Sequence, residues 1–431
     1  MRNRLLALMT LVVAISLSAC APGPDPTASA DPGLIRVPAD VATLQEAADA
    51  VAAGGTIEIA AGTYAETMQI ATPDVTVRGE DRNDTVIDGG GIRPFGIVAI
   101  ADGITIENLT VTGALYYGVL VTGTHDENGP TAHGVDGYAP FDPARFPPLQ
   151  RFLIDHVTAY NNGLYGIYAF NSQHGVIRDS YASGSADSGF YVGQCRDCDI
   201  LLTGNVAEAN AVGYENANAS DSVVVAANRF SGNRVGMTLL SNYQEAFSPQ
   251  QGNTVVGNVV SGNDAADSPA QADGGFALGI GIAGGRDNLV SRNLIAGHAR
   301  AGIQLSNTED LAATGNDLRG NAFAGNAVDV ANTSATRSPA QANCADATAS
   351  ALPGALAAQL AACADVQDAA TALDGPPAPA GVSFLRVAPP PAQPNLAPRA
   401  AQRLPDAVAM PDAASFATPD PDLLADRART P

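Results

Sequence analysis

Residues 123–137 concentrate side chains that could bind a metal or transfer protons. The stretch reads GTHDENGPTAHGVDG and holds two of the five histidines together with three acids. Imidazole nitrogens and carboxylate oxygens are ligands for divalent cations, and histidine is also a general acid or base near neutral pH. We therefore take His125, Asp126, His133 and Asp136 as candidate metal ligands, and His133 as a candidate catalytic residue.

The same stretch has a second interpretation as a plain loop or lid. Its spacing matches no compact ligand motif such as HExxH. The residues that follow, GYAPFDPARFPPLQ, are rich in aromatic side chains and proline, which suits a segment that folds back over the body. The identity of a bound ion does not follow from the sequence, and a divalent cation such as calcium is one candidate.

The composition restricts the chemistry and the partners. All 22 basic residues are arginine, so no lysine can act as a base, a nucleophile or a Schiff-base former. The net charge is −22, which repels polyanions unless a divalent cation bridges them. Nucleic-acid binding is therefore not expected.

The N-terminus predicts export and a membrane anchor. MRNR precedes the apolar run LLALMTLVVAISL and the small residues LSAC, a run too short for a spanning helix. LSAC resembles a bacterial lipobox, which implies a signal peptide over residues 1–19, a lipid on Cys20 and a linker over 20–33. An ordinary signal peptide is the alternative. The expected location is the cell membrane, lipid-anchored and facing the extracytoplasmic side.

Four further cysteines fit two disulfides. In an oxidising compartment an even number of cysteines favours pairing, and proximity joins Cys195 to Cys198 and Cys344 to Cys363. The CxxC at 195–198 could instead be a redox pair or half of a zinc site, but it is flanked by strand-like runs and aspartates rather than a helix start.

The elements that must position these groups repeat along the chain. Phrases such as YGVLVT, YGIYAF, SGFYVG and AGIQLS recur 22–24 residues apart, except across gaps of 48 and 43 residues that contain insertions. The longer gap holds an insertion at 124–149. The repeated glycines are Gly96, Gly118, Gly166, Gly189, Gly213, Gly236, Gly279 and Gly302.

Two polar columns follow each repeated phrase. Asparagine tolerates the left-handed backbone of tight turns, and stacked asparagines hydrogen-bond one another, so these columns predict ladders in a parallel β-helix. His156 and His298 fall within the columns, whereas His125 and His133 do not. The first column is Asn108, His156, Ser180, Asn205, Asn228, Asn258, Asn293 and Asn316. The second is Gly113, Asn161, Ser185, Asn210, Asn233, Asn263, His298 and Asn321.

The phrase NLIAGHARAGIQL resembles the right-handed parallel β-helix repeat of pectate-lyase-like and periplasmic copper-maturation proteins. TLQEAADAVAAGGTIEIAAGTYAE resembles their N-terminal capping helix and first strands. The resemblance implies an all-β, right-handed parallel β-helix over 34–332. A cap closed by the disulfide Cys344–Cys363 is expected over 333–375, and a Pro/Ala-rich tail that is extended or disordered over 376–431.

Strand alternation predicts the groove that the loops frame. If the residue after each repeated glycine points inward, the next points outward, which gives a column containing Leu120, Tyr168, Tyr191 and Glu215. Two tyrosines and a carboxylate could stack against and hydrogen-bond a sugar, with Tyr168 as a proton carrier. Alternatively, phenylalanines of the insertion at 124–149 simply cover these rings.

The leading hypothesis is a membrane-anchored β-helix that binds a polysaccharide, or another cell-envelope glycan, and that could cleave or epimerise it. A metal-handling β-helix like the copper-maturation proteins and a non-catalytic interaction scaffold remain alternatives. Whether the chain is an enzyme does not follow from the sequence.

Overall fold

The structure, a computed structural model, describes residues 32–126, 129–130, 141–272 and 274–429. Several predicted positions lie outside these residues: the lipidation site Cys20 and the candidate residues His133 and Asp136. Strands are numbered along the chain.

Two parallel sheets, A and B, wind around one apolar core, as the resemblance implied. Sheet A consists of β1 (Leu34–Val37), β2 (Thr56–Ile59), β3 (Gly62–Tyr64), β5 (Thr76–Gly79), β6 (Thr85–Asp88), β8 (Ile104–Thr112), β12 (Leu149–Tyr160), β14 (Ser172–Arg178), β15 (Tyr181–Ser183), β17 (Ile200–Thr203), β18 (Val206–Glu208), β20 (Val223–Ala226), β21 (Arg229–Ser231), β23 (Thr254–Val256), β24 (Val259–Ser261), β26 (Leu289–Ser291), β27 (Leu294–Ala296) and β29 (Ala322–Ala324).

Sheet B carries the repeated glycine phrases. Its strands are β4 (Met68–Ile70), β7 (Phe95–Ala99), β9 (Tyr117–Thr122), β13 (Tyr165–Phe170), β16 (Ser188–Cys195), β19 (Val212–Ala219), β22 (Val235–Leu240), β25 (Leu278–Ala283), β28 (Ala301–Ser306), β30 (Val330–Asn332) and β31 (Ala351–Leu352). A separate antiparallel hairpin pairs β10 (His125–Asp126) with β11 (Gly129–Pro130).

Sheet A comprises two parallel ladders that share the long strands β8 and β12. The residue after each repeated glycine points into the core, so the predicted alternation is confirmed. The inward column is fully buried: Ile97, Val119, Ile167, Phe190, Tyr214, Met237, Ile280 and Ile303. Identical spacing on successive coils stacks these side chains, which makes the core continuous along the helix.

The N-terminal end is closed by α1 (Leu44–Ala50), as predicted. Thr43 and Glu46 form a capping box, and the helix buries Leu44, Ala47 and Ala48 against the core. Within the described residues, no helix is both long and apolar enough to cross a membrane.

The C-terminal end is closed by α2 (Leu356–Ala361) between Cys344 and Cys363, which form the predicted disulfide, as do Cys195 and Cys198. The helix buries Leu356 and Leu360. Three short 3₁₀ helices follow, at Phe384–Arg386, Ala413–Ser415 and Ala425–Arg427.

The asparagine ladders form, but the predicted alignment is wrong on the early coils and on the last one. His156 and Asn161 are each one residue out of register, because Val157 N donates to Ser180 Oγ and Asn162 Oδ1 accepts from Ala114 N. Asn205, Asn228, Asn258 and Asn293 hydrogen-bond in series, and Asn293 then bonds Asn321 rather than Asn316. The second ladder likewise ends at Asn326. The last coil is therefore five residues longer than its sequence pattern suggested. Asn316 is not part of the first ladder but belongs to a third one, in which it lies between Asn288 and Asn343.

Of the two states predicted for the tail, extended or disordered, the structure shows the extended one. Residues 376–382 contact the turns around Arg234 and Arg300, and residues 393–429 lie against sheet A. The tail has few apolar side chains, and hydrogen bonds hold it in place. For example, Arg82 donates to Pro394 O, Leu396 N donates to Asn108 Oδ1, and Arg427 donates to Gly204 O. These bonds satisfy backbone groups that no strand or helix satisfies.

Candidate functional site

The predicted outward column of sheet B forms in the expected register. Leu120 pairs with Tyr168, Tyr168 with Tyr191, and Tyr191 with Glu215. Their side chains are not an open platform, because Tyr168 and Tyr191 are each 2% exposed and Glu215 is 5% exposed. The expectation of an exposed groove is therefore corrected: loops cover the face.

The loops that cover this face are the two insertions, which follow strands of sheet B. The first follows β9, and its Phe141 packs edge-on against Phe247 of the second at a centroid distance of 5.6 Å. The second loop is tied down by Gln194, whose Oε1 accepts from Ala246 N at 3.1 Å, and by Arg196, which lies over the Phe247 ring. The two insertions therefore meet above the column. We call the segments around Phe141 and Phe247 the roof.

Four tyrosines form a cluster under this roof. The Tyr165 ring lies 4.4 Å from that of Tyr168 and 4.8 Å from that of Tyr191, and Tyr117 lies 5.2 Å from Tyr168. A Cβ atom at Gly193 would fall 2.3 Å from Tyr191 Cε1, so the glycine makes room for the ring. Tyr165 and Tyr117 were not among the predicted site residues, although each begins a repeated phrase.

Three carboxyl groups adjoin the tyrosines. Tyr191 OH donates to Glu245 Oε1 at 2.5 Å, and Gln271 Nε2 donates to Asp187 Oδ1 at 2.8 Å and to Glu215 Oε2 at 3.3 Å. Glu215 also shares a hydrogen bond with Asp187. The other oxygen of Glu245, Oε2, is buried without a hydrogen-bond partner in the described part of the chain.

Burial controls the protonation of this site. Desolvation, with the charges of Asp187 and Glu245, raises the pKa of Glu215 well above its ordinary range. Desolvation also raises the pKa of Glu245 to about 8, which the Tyr191 hydrogen bond only partly opposes. The pKa values of Tyr165 and Tyr191 are raised by the same burial, so both phenols are neutral at pH 7. The site therefore holds protons that ordinary surface carboxyls have lost.

Sequence reasoning missed Asp187, Glu245 and Gln271. Asp187 stands in the turn before β16, and the other two lie in loops between strands, where periodicity carries no information. The available signal for Glu245 and Gln271 was that they lie in the insertions YQEAFSPQQ and DAADSPAQADGGF, since insertions often carry functional residues. The signal for Asp187 was its position directly before a repeated phrase.

The described part of the proposed metal loop gives no assembled cation site. His125 and Asp126 form the short strand β10, while His133 and Asp136 lie outside the described residues. Among described residues, the grouping with metal-like proximity is Asp155, His156 and Asp179 on the opposite sheet. Asp155 is already bonded there to His156 and Arg178, at 2.6 and 2.7 Å.

Residues 95–260 match the family described as right handed beta helix region. No curated protein matches the sequence. Similar solved structures include an A-module of mannuronan C-5 epimerase from Azotobacter vinelandii, at 18% identity and TM-score 0.47, covering 68% of this chain and 88% of that one.

An alginate lyase from Paenibacillus sp. is 16% identical with TM-score 0.39, covering 68% of this chain and 96% of its own. A pectate lyase is 15% identical with TM-score 0.40, and the match covers 58% of this chain and 69% of that one.

Proposed function

We propose that this chain, whose residues 95–260 match the right handed beta helix region, binds a polysaccharide at the covered tyrosine and carboxyl cluster of sheet B. The observation that carries the proposal is the adjacency of Tyr168, Tyr191, Glu215 and Glu245. Tyrosine rings stack on sugar faces, and neutral carboxyl and phenol groups can both donate to and accept from sugar hydroxyls.

The proposed binding requires the roof to open. The contact between Phe141 and Phe247 is one ring pair between two long insertions, and insertions of this kind commonly act as lids. A polysaccharide chain would then lie along the stacked strands, with Tyr168 and Tyr191 beneath it. Closure over the bound chain would exclude water from the carboxyl groups.

Proton transfer on a bound sugar acid is the proposed chemistry. Glu245, with a pKa near 8 and a hydrogen bond to Tyr191, can gain or lose a proton close to neutral pH. Removal of the proton beside a sugar carboxyl, with cleavage of the adjacent glycosidic bond and formation of a carbon–carbon double bond, gives a lyase. Return of a proton to the opposite face without cleavage gives an epimerase.

Binding tests the first part of the proposal. Glycan arrays and affinity electrophoresis should show binding by the wild-type chain that falls roughly tenfold, or about 1.4 kcal/mol, in Tyr191→Phe and Glu215→Gln. Tyr160→Phe is the matched control, because Tyr160 lies on β12 of sheet A. Equal binding by all four proteins would contradict the proposal and favour an interaction scaffold.

Product analysis tests the chemistry separately. A lyase forms unsaturated ends that absorb ultraviolet light, whereas an epimerase incorporates solvent deuterium into the polymer without shortening it. Loss of either signal in Glu245→Gln, with binding retained, supports the assigned proton carrier. Binding without either product would support the polysaccharide site and contradict the proposed catalysis.

We further propose that the chain works outside the cytoplasm, held to the membrane through a lipid on Cys20. The support is the N-terminal sequence alone. Metabolic labelling with a fatty acid should modify the wild-type chain and not Cys20→Ser. Labelling of both, or of neither, would contradict the anchor.

A further inference from the structure

The outer face of sheet A contains two buried carboxylates in direct opposition. Arg78 pairs across the strands with Glu107, Glu107 with Asp155, and Asp155 with Arg178. Glu107 is 1% exposed and Asp155 is fully buried. Like charges on directly opposed residues of neighbouring strands destabilise a sheet. Sheet A by itself therefore holds a site that favours an additional cation.

Arg399 of the tail supplies that cation. Its Nη2 contacts Glu107 Oε2 and lies 2.8 Å from Asp155 Oδ2. Arg78 Nε donates to the other oxygen of Glu107 at 2.6 Å, and Arg178 donates to Asp155 at 2.7 Å. The planar guanidinium of Arg399 thus bridges two carboxylates that otherwise face each other. We call Glu107 and Asp155 the guanidinium socket.

Further along the tail, Arg427 enters sheet A as well. Its guanidinium donates to the carbonyl oxygens of Gly204, Asp179 and Ser180 at 2.6, 2.8 and 3.2 Å, and the residue is 7% exposed. Arg429 N donates to Glu208 Oε1 at 2.9 Å. A second attachment, 28 residues from Arg399, therefore holds the other end of the same segment.

An apolar contact lies between the two attachments. Met410, Ala413 and Phe416 pack against a cluster on sheet A that consists of Leu201, Val224, Ala226 and Val256. Val224 and Val256 are 7% and 0% exposed in the presence of the tail. Since these side chains are on the outer face of the sheet, the tail is what removes them from water.

We propose that sheet A is a peptide-docking face that recognises an extended, proline-rich segment through the guanidinium socket, and that residues 393–429 of the same chain occupy this face as a strap across its strands. The segment is thereby an integral layer of the protein and not a free tether or spacer. Recognition depends on the guanidinium of Arg399, on the apolar contact around Phe416 and on Arg427. This proposal is independent of polysaccharide binding on sheet B.

Hydrogen exchange on the full chain tests the strap. In Arg399→Gln, the amides of the tail and of β20 should exchange at least about tenfold faster, because the socket loses its bridging cation. Val408 N, which donates to Asp199, is a suitable reporter. The matched control is Arg403→Gln, since Arg403 is exposed and lies only four residues away. Equal exchange in wild type, Arg399→Gln and Arg403→Gln would overturn the proposal.

A double variant separates recognition from simple stability. Glu107→Gln combined with Arg399→Gln removes the opposed charges. The unfolding midpoint, lowered in Arg399→Gln, should therefore recover in part, since Arg78 loses its carboxylate partner at the same time. Exchange of the tail should nevertheless stay fast, because the guanidinium is still missing. Recovery of slow exchange in the double variant would show that Arg399 only neutralises charge, which would overturn guanidinium recognition.

Docking in trans provides the final test. A synthetic peptide of residues 392–429, added to full-length Arg399→Gln, should slow exchange in β20 in a saturable manner. The same peptide with Arg399→Gln should not. Equal effects of the two peptides, or no effect of either, would contradict a specific docking face.

Discussion

The two outer faces of the β-helix bury acids in opposite ways. On sheet A, Asp155 is surrounded by donors: although burial alone would raise its pKa, hydrogen bonds from His156 and Arg178 and the charge of Arg399 hold the pKa well below its ordinary value. On sheet B, Glu215 and Glu245 make no ion pair with arginine among the described residues, and burial raises the pKa of both.

The difference shows that burial does not determine the charge of a carboxyl group; the available donors do. Sheet A keeps its acids ionised and uses them to hold the tail in place. Sheet B keeps its acids protonated under covering loops, which suits groups that exchange protons with a ligand. The contrast predicts different responses to mutation and to pH.

The largest effect is expected for the ionised acid of sheet A. Asp155→Asn leaves the guanidinium groups of Arg178 and Arg399 without one of their carboxylates, and should lower the free energy of unfolding by about 3–5 kcal/mol. Urea unfolding, monitored by circular dichroism, measures this change in the free energy of unfolding. Asp317→Asn is the control, because Asp317 and Arg319 lie at the surface, and this substitution should lower the free energy of unfolding by at most about 1 kcal/mol. Equal effects of the two substitutions would remove the distinction between the faces.

The protonated acid of sheet B should give stability that falls as pH rises. Glu245 has a folded pKa of about 8 against an ordinary value of 4.5, so between these values the folded protein binds the extra proton. The contribution of Glu245 to the free energy of unfolding is at its maximum below pH 4.5, and it declines by about 1.4 kcal/mol per pH unit up to pH 8. Glu245→Gln should flatten this slope in urea unfolding measured from pH 5 to 8. An unchanged slope would contradict the raised pKa.

A smaller effect is expected from the tyrosine that bonds Glu245. Tyr191→Phe removes one buried hydrogen bond and should cost about 1–2 kcal/mol in unfolding free energy. It should also raise the pKa of Glu245, since the hydroxyl donates to the charged form. Carbon-13 NMR titration of the labelled carboxyl group measures that shift. A lower pKa in the variant would mean that Tyr191 does not stabilise the ionised acid.

The smallest effect on stability, but a specific effect on dynamics, is expected at the roof. Phe247→Ala removes the ring contact with Phe141 and with Arg196. Hydrogen exchange should accelerate in residues 241–251 by several-fold while sheet A exchanges as before. Faster exchange in both sheets would indicate general destabilisation rather than an opened roof.

The repetitive part of the fold was predictable from sequence because it depends on local periodicity. The spacing of the repeated glycines gave the inward column, and that column gave the outward register from Leu120 to Glu215. The same method failed on the last coil, where five extra residues moved the ladder from Asn316 to Asn321. A periodic pattern cannot detect a coil that lengthens without changing its residue types.

The candidate site was predictable only in part, for the same reason. Tyr168, Tyr191 and Glu215 lie on strands, so alternation located them. Glu245 and Gln271 come from loops more than 50 residues further along the chain than Tyr191 and Glu215, respectively, and reach them only in the folded protein. Whether the face was open or covered also depended on how these loops fold.

The sequence by itself determined the parallel β-helix through the period of its repeats, and the pairing of its four described cysteines through their proximity in the chain. Its handedness and its N-terminal cap were implied by the resemblance to known β-helices. The tertiary structure alone decided which acids carry charge. Asp155 and Glu215 are both buried carboxyl groups on sheet faces. His156, next to Asp155 in sequence, bonds it, but the guanidinium groups that also keep Asp155 ionised come from residues 178 and 399. A guanidinium from residue 399 approaches one, and Asp187 with the roof approaches the other, so contacts distant in sequence set the two opposite protonation states.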